Sequence, residues 1–279
     1  MAQGSALNSR QLALYGEIYR CEACSNLTDP TGVQPFASRL ASQGQTVPVS
    51  HFGNIETALI WLLVTNPKGN RSDPNVGLGV RNFASDRASP QGTDIPLVFE
   101  HFSNYDFAKS SQEFFGPWRM VLDGLVAGGK EVRFDSGGIC AVDLIKCPTQ
   151  TAWLNYVQTD EGKLVWRNCH ALEQKGNEFL VRQIELHSPP ILLLPGTKLN
   201  GKGYTAKLLG KKNKQLEGMI DGDDNYVRAV RSLDNPRRLA LELGGARDLR
   251  NVVKDRPLLT RSRLTIQRII DAWSVATPV

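Results

Sequence analysis

Short apolar runs separated by helical patterns are the feature that most constrains the fold of this 279-residue chain. Three of these runs are typical of buried strands: "ALIWLLV" (58–64), "GGICAVDLIKC" (137–147) and "ILLLPGT" (191–197). Helical spacing of apolar residues covers residues 7–20, 110–129, 167–190 and 264–273, and the second of these segments ends on Gly-Gly while the third ends on Pro-Pro. Such alternation predicts an α/β sandwich with a mostly parallel sheet.

Two weaker segments add to this pattern. "DIPLVFEHF" (94–102) suggests another strand, and "YVRAVRSL" (226–233) suggests the last strand, with "DNPRRL" at its tip. In parallel sheets, ligands bind beyond the carboxyl ends of the strands. Polar residues fall at those ends, in "TNP" after the first strand, at Asp143 in the next, and in "DNP" after the last. We therefore expect the functional site at this edge.

The charge balance is mildly basic, with 33 Lys plus Arg against 28 Asp plus Glu and a pI of about 9.0. One stretch, "KLNGKGYTAKLLGKKNK" (198–214), concentrates lysines, and it is either a loop that faces a polyanion or a solvated helix face. The start "MAQGSALNSR" has no secretory h-region, and the longest apolar run is far shorter than the ~20 residues of a membrane span. We expect a soluble cytoplasmic protein without a membrane partner.

Four of the five cysteines are candidate metal ligands: Cys21 and Cys24 in "CEAC", Cys147 after a buried strand, and Cys169 in a helical segment. A cytoplasmic chain is not expected to hold a disulfide framework. Zinc and a 4Fe-4S cluster both accept four thiolates, so the spacing leaves both open. Buried free cysteines with one chance C-x-x-C pair are the simpler alternative.

"CEAC", "DLIKC" and "C…EFLVRQIELHSPPILLLPG" together resemble the iron–sulfur branch of the uracil-DNA glycosylase superfamily. The resemblance covers roughly residues 18–25, 58–70 and 138–198. It implies one three-layer α/β/α domain over residues 1–279, with a cluster-binding segment at 1–50 and the core at 51–279. It also implies a structural 4Fe-4S cluster and hydrolysis of a base flipped out of DNA. By resemblance the cluster ligands are Cys21, Cys24, Cys147 and Cys169, and we expect Cys140 to be core and the protein to be a monomer.

The first pocket motif of this family corresponds to "VTNPKGN" (64–70), where the iron–sulfur branches usually carry a glutamate. By resemblance Asn66 orients the attacking water, because an amide cannot abstract a proton. The second motif corresponds to "LDNPRRL" (233–239). There Asn235 would donate to the O2 atom of the base, Arg237 and Arg238 would bind phosphates, and Leu239 would wedge into the base stack. Both Asn-Pro pairs are alternatively plain turns.

Asp143 aligns with the pocket asparagine that pairs with uracil in this family. An ionised carboxylate repels the O4 atom of uracil. A protonated carboxyl accepts from the N4 amine of cytosine and donates to its N3 atom, and burial favours the protonated form. The resemblance and this substitution together predict a preference for cytosine, with Asp143 also able to pass its proton to N3. The alternatives are a structural ion pair or an alignment that slips by one residue.

Related uracil enzymes place a tyrosine of the first pocket motif against the C5 atom of the base. In this chain Lys68 and a glycine follow Pro67, and the next aromatic residue is Phe83. We assign Lys68 to base binding and Phe83 to stacking on the base. An open C5 side predicts a 5-substituted cytosine, hydroxymethylated or glucosylated as in some viral DNA, and hence a defence glycosylase. Three alternatives remain: a uracil repair enzyme, a non-catalytic DNA-binding protein with this fold, and a zinc-ribbon protein with an unrelated α/β body.

Overall fold

The computed structural model describes residues 7–21, 23, 48–64, 95–107, 112–146, 160–170, 178–195, 213–215, 227–232, 238–243 and 253–276. The chain forms two compact units, each built from three separate segments. The first unit comprises Met1–Phe52, Val64–Tyr105 and Val142–His187. The second comprises Gly53–Leu63, Asp106–Ala141 and Ser188–Val279.

Six helices and eight strands lie within the described residues. In chain order they are α1 (Ser9–Tyr19), β1 (Ile60–Val64), α2 (Ile95–Ser103), α3 (Gln112–Leu122), β2 (Leu125–Ala127), β3 (Lys130–Val132), β4 (Ile139–Asp143), α4 (Asp160–His170), α5 (Phe179–His187), β5 (Ile191–Pro195), β6 (Asn213–Gln215), β7 (Val227–Ser232), β8 (Leu239–Leu243) and α6 (Arg256–Ala276).

The main sheet has six strands in the order β4-β1-β5-β8-β7-β6. The strands β4, β1, β5 and β8 run parallel, with Ile191 of β5 opposite both Ile60 and Leu239. The three predicted strands are thus confirmed, and the structure places them side by side. All five residues of β1 and of β4 are buried, which explains why these strands are continuous apolar runs rather than alternating ones. The protein is an α/β protein in which four adjacent parallel strands of this sheet are flanked by helices.

The strand expected at 226–233 is present as β7, but it is not the last strand. β7 pairs antiparallel with β8, with Arg231 opposite Leu239. Leu239 also pairs with Ile191, the first residue of β5, so it lies at the amino end of the parallel strands. The carboxyl end of β7, at Ser232, therefore lies at that same amino edge. The expectation that "DNP" follows a parallel strand at its carboxyl end was wrong, because an antiparallel strand reverses the chain first.

Residues 94–102 were expected to form a strand, but Ile95–Ser103 is a helix. Its buried residues Val98, Phe99 and Phe102 recur at helical spacing. Phe99 stacks edge-on against Tyr15 of α1 with ring centroids 4.6 Å apart, and Phe102 lies 5.9 Å from Tyr19. An apolar segment this short fits either structure locally, and packing against α1 favours the helix.

The Gly-Gly pair expected to stop a helix at residue 129 forms a hairpin turn instead. The helix ends earlier, at Leu122, and β2 and β3 pair with Ala127 opposite Lys130. Gly128 and Gly129 between them have φ of 57° and 74°. Two consecutive positive φ angles are the signature of a tight two-residue hairpin loop, which glycine adopts without steric strain.

The long helix expected over 167–190 is two helices, α4 and α5. Glu178 has φ of 47°, which is not helical, and α5 begins at the next residue. The expected stop at Pro-Pro is confirmed, since α5 ends at His187 and Ser188 takes a left-handed φ of 47° before the prolines. Residues 171–177 lie outside the described part of the chain.

The helices expected at 7–20 and 264–273 are confirmed as α1 and α6, the latter with 21 residues. In α1, Asn8 caps the first turn through bonds of 3.0 Å from the amides of Arg10 and Gln11. In α6, Arg263 donates to the carbonyls of Met120 and Asp123 and so caps the end of α3. Among the described helices, α6 included, none has the length and apolarity of a membrane span.

Candidate functional site

Asp143 is the last residue of β4, and its position follows from the sheet. The Leu144 amide donates to the Val64 carbonyl over 2.8 Å, so β4 and β1 stay paired up to their carboxyl ends. The Asp143 side chain is 1% exposed although it is a carboxyl. In a parallel α/β sheet this edge is where ligands bind. Asp143 is therefore a buried acid at the position most favoured for chemistry.

The carboxyl group of Asp143 has no hydrogen-bond partner within the described residues. Both of its oxygens are buried and unbonded, and no lysine or arginine nitrogen from the described chain pairs with them. Desolvation raises the pKa of Asp143 to about 8, although the Lys146 ammonium opposes this shift. An acid with this pKa carries its proton at neutral pH. The site thus offers one O–H donor and one carbonyl acceptor to a ligand.

Lys146 is a charged residue that acts on this acid, and it is itself 1% exposed. Its ammonium donates to the backbone carbonyl of Asp143 and, over 3.2 Å, to the carbonyl of Ser50. Backbone carbonyls thus compensate part of the cost of burying the ammonium, which is several kcal/mol for an uncompensated ion. A structural ion pair was the alternative role considered for Asp143. The structure gives it no support, because the Lys146 ammonium donates to backbone carbonyls and not to the carboxyl of Asp143.

A buried polar network continues from Ser50. The Ser50 hydroxyl bonds the Tyr19 hydroxyl at 2.8 Å and the Nδ1 atom of His51 at 2.7 Å, and the Nε2 atom of His51 bonds Ser103 at 3.0 Å. The Gln183 amide donates to the Ser50 carbonyl over 3.3 Å. The Oε1 atom of Gln183 is buried and has no bond to the described residues. This network fixes Ser50, and through it Lys146.

The two ring groups of this network stay neutral. Burial lowers the pKa of His51 well below its usual value, and the nearby His187 and Lys146 lower it further. Burial raises the pKa of Tyr19, and its bond to Ser50 opposes this only in part. Lys146 is therefore the charged group beside Asp143 among these residues.

The described neighbours of the predicted cluster ligands are connected to each other. Tyr19, two residues before Cys21, is joined through Ser50 to Lys146, which directly precedes Cys147. The Asn168 amide, next to Cys169, donates to the Ala23 carbonyl over 3.0 Å. Cys169 is buried and Cys21 half-buried. These bonds tie together three chain segments that carry thiols in the sequence.

Cys24 and Cys147 lie outside the described residues. Within the described part, no three histidine, cysteine or acidic side chains are grouped as metal ligands. An open groove of about 640 Å³ lies beside Cys21, between Leu12, Glu17, Ile95 and Phe179. The Glu17–Arg182 ion pair joins α1 to α5 in the same region.

The remaining predicted site residues divide into two groups. Asn66, Lys68, Phe83, Asn235 and Arg237 lie outside the described residues. Arg238 is half-buried just before β8. Leu239 is 0% exposed as the first residue of β8. The wedge role of Leu239 is corrected by this burial, because a side chain inside the sheet core cannot enter a base stack.

Sequence reasoning did not single out Lys146, Ser50, His51 and Gln183. Lys146 had a visible signal, since it is a second charge in the apolar run that contains Asp143. Ser50, His51 and Gln183 had none, because their partners come from other elements. Comparison of the chain with protein-family models and with curated proteins gives no match.

Proposed function

We propose that this protein is a DNA glycosylase that hydrolyses the N-glycosidic bond of a flipped, 5-substituted cytosine and leaves an abasic site. Hydroxymethylated or glucosylated cytosine in foreign DNA is the proposed substrate, and defence of the host is the proposed role. One observation carries the proposal: Asp143, at the end of the buried parallel strand β4, has a buried carboxyl whose two oxygens make no hydrogen bond within the described residues, and burial raises its pKa to about 8. Burying a carboxyl without a hydrogen bond destabilises the folded state, so this group does not serve stability.

The carboxyl of Asp143 matches the edge of cytosine. Its O–H donates to N3, and its C=O accepts from the N4 amine. A neutral carboxyl can also turn and pair with uracil, so hydrogen bonding alone does not decide between the bases. The difference lies in the next step. Transfer of the proton to cytosine N3 leaves a carboxylate facing two N–H donors, which is a charge-assisted pair that uracil cannot form.

Proton transfer to N3 makes the base a better leaving group, because the electrons of the glycosidic bond then move onto a cationic ring. The sugar becomes oxocarbenium-like, and water adds to its C1′ atom. We propose that Asn66, two residues beyond the end of β1, orients this water. Asn235, Arg237 and Arg238 receive no role at the Asp143 pocket, because Ser232 and Leu239, the strand ends that flank them, lie at the amino edge of the parallel strands.

The residues proposed to hold a 4Fe-4S cluster are Cys21, Cys24, Cys147 and Cys169. The bonds Tyr19–Ser50–Lys146 and Asn168–Ala23 support this set, because they bring its flanking residues together. When bound, the cluster would crosslink these segments without taking part in base hydrolysis. Such a crosslink would hold the segment that follows Asp143, because Cys147 lies four residues after this acid.

The test is a glycosylase assay over oligonucleotides that contain cytosine, 5-hydroxymethylcytosine, glucosylated 5-hydroxymethylcytosine or uracil at one position. Strand breakage after heating in alkali reports an abasic site. We expect breakage with the modified cytosines. The matched variant is Asp143→Asn, which keeps the shape and both hydrogen bonds but has no proton to transfer, so it should lose at least 10²-fold on cytosines and retain pairing with uracil.

Three outcomes contradict the proposal. DNA binding without strand breakage on any substrate would make the chain a binding protein. Breakage at uracil alone would make it a uracil repair enzyme. Excision of modified cytosine that is unchanged in Asp143→Asn would remove the acid from the mechanism.

A further inference from the structure

We propose that Lys146 is a positioning residue whose fixed ammonium stabilises the Asp143 carboxylate that remains after the proton has moved to the base. This inference rests on the proposed function, and it names a residue to which neither the sequence pattern nor the resemblance assigned a role. It is carried by the contacts of Lys146, because the ammonium is buried beside the acid without being bonded to the acid's oxygens.

The position of the ammonium is fixed by backbone carbonyls from two chain segments. Lys146 donates to the carbonyl of Asp143, three residues earlier, and to that of Ser50. The Val49 amide donates back to the Lys146 carbonyl over 2.7 Å, and Gln183 holds the same Ser50 carbonyl. The charge therefore stays near the acid while the carboxyl oxygens remain available for a ligand.

This placement serves a group that must both hold and release a proton. Burial alone raises the pKa of Asp143, and the acid would hold its proton too tightly to transfer it. The positive charge of Lys146 lowers the pKa and brings it closer to neutrality. The other titratable groups of the network are Tyr19 from α1, His51 before β1 and His187 at the end of α5, and the first two are neutral. Lys146 is thus the counter-charge that these elements supply.

The proposed step balances in atoms and charge. The O–H bond of Asp143 breaks, and an N–H bond forms at N3 of the cytosine. The glycosidic C–N bond then breaks with its electrons going to the base, water adds to C1′, and one water proton is released. Asp143 is left as a carboxylate, and the ammonium of Lys146 compensates this charge until the acid takes up a proton again.

The experiment uses the full chain and three substitutions at one position. Lys146→Gln retains a donor for the Asp143 and Ser50 carbonyls but removes the charge, and Lys146→Met removes both. Lys146→Arg retains the charge. Each is measured by the pH dependence of single-turnover excision of modified cytosine and by carbon-13 NMR titration of the Asp143 carboxyl, assigned with Asp143→Asn. Circular dichroism checks the fold.

We expect Lys146→Gln to excise on the order of tenfold more slowly than the wild type at neutral pH, since an opposite charge nearby favours the ionised form by about that factor or more. The NMR titration and the alkaline limb of the rate profile should both move to higher pH. Lys146→Arg should restore both. A purely structural lysine would lower the rate without moving either titration.

The failures are distinguishable. If the wild type excises modified cytosine and Lys146→Gln has the same rate, profile and titration, this role of Lys146 is wrong and the proposed function stands. If the wild type excises no base at all, the proposed function falls and the role of Lys146 falls with it. If Lys146→Gln does not fold, the excision rate, its pH profile and the Asp143 titration are compared between Lys146→Arg and Lys146→Met, and equal values in the two variants would show that this role of Lys146 is wrong.

Discussion

Replacing Asp143 with asparagine should stabilise the protein at neutral pH, even though it should abolish excision of cytosines. In the unfolded chain the carboxyl ionises at its ordinary pKa of 3.8, and in the folded protein at about 8. Between these values the folded state holds a proton that the unfolded state has lost. The free energy of unfolding therefore falls as pH rises through this window, by about 1.4 kcal/mol per pH unit. Below pH 3.8 and above about pH 8, Asp143 does not change how the free energy of unfolding depends on pH.

The size of this effect follows directly. At pH 7 the wild type is less stable than at pH 3.8 by about 4 kcal/mol from this residue, and asparagine has no such dependence. Compared at equal iron content, the free energies of unfolding of wild type and Asp143→Asn in denaturant should diverge by about 3 kcal/mol between pH 5 and pH 7. Asp271→Asn, an exposed acid on α6, is the control and should track the wild type. A gap between wild type and Asp143→Asn that does not change with pH would refute the burial of an unpaired acid.

Three further predictions follow from the same structure. Excision should decline about tenfold per unit above pH 8, as Asp143 loses the proton it transfers, and a rate that is flat at higher pH contradicts this. Cys169→Ser should lower the bound iron and the visible absorbance, whereas Cys140→Ser, whose thiol lies 3.7 Å from the Gly53 carbonyl, should retain both; equal iron in the two variants opposes the ligand set. Leu239→Ala should destabilise the protein by about 2–5 kcal/mol in denaturant without weakening DNA binding. Weaker DNA binding with unchanged stability would instead support the wedge role of Leu239.

Three of the four parallel strands could be predicted because they are buried on both faces, whereas β8 was not predicted. A strand covered by helices on each side contains almost no polar residue, so β1, β4 and β5 are visible as unbroken apolar runs. α2 was mistaken for a strand for the same reason. "IPLVFEHF" is apolar enough for either structure, and the choice is made by aromatic contacts with α1, some 80 residues earlier in the chain.

The site could be predicted only where one residue carries the chemistry. Asp143 was visible as a carboxyl inside an apolar run. The network around it was not visible, because Ser50 meets Tyr19 across 31 positions, Lys146 across 96 and Gln183 across 133. No local pattern records contacts at such separations. The direction of β7 could not be predicted either, because nothing in "YVRAVRSL" indicates that this strand runs antiparallel to β8.

The outer strand β6 bears on how the molecule behaves in concentrated solution. It ends the sheet order, and in the described chain it is three residues long, with a lysine at its centre. A second molecule that pairs with these three residues would gain only a few backbone hydrogen bonds. Short, charged borders of this kind protect sheets from edge-to-edge aggregation. Growth of fibrils or stacked oligomers from the described part of this border is therefore disfavoured.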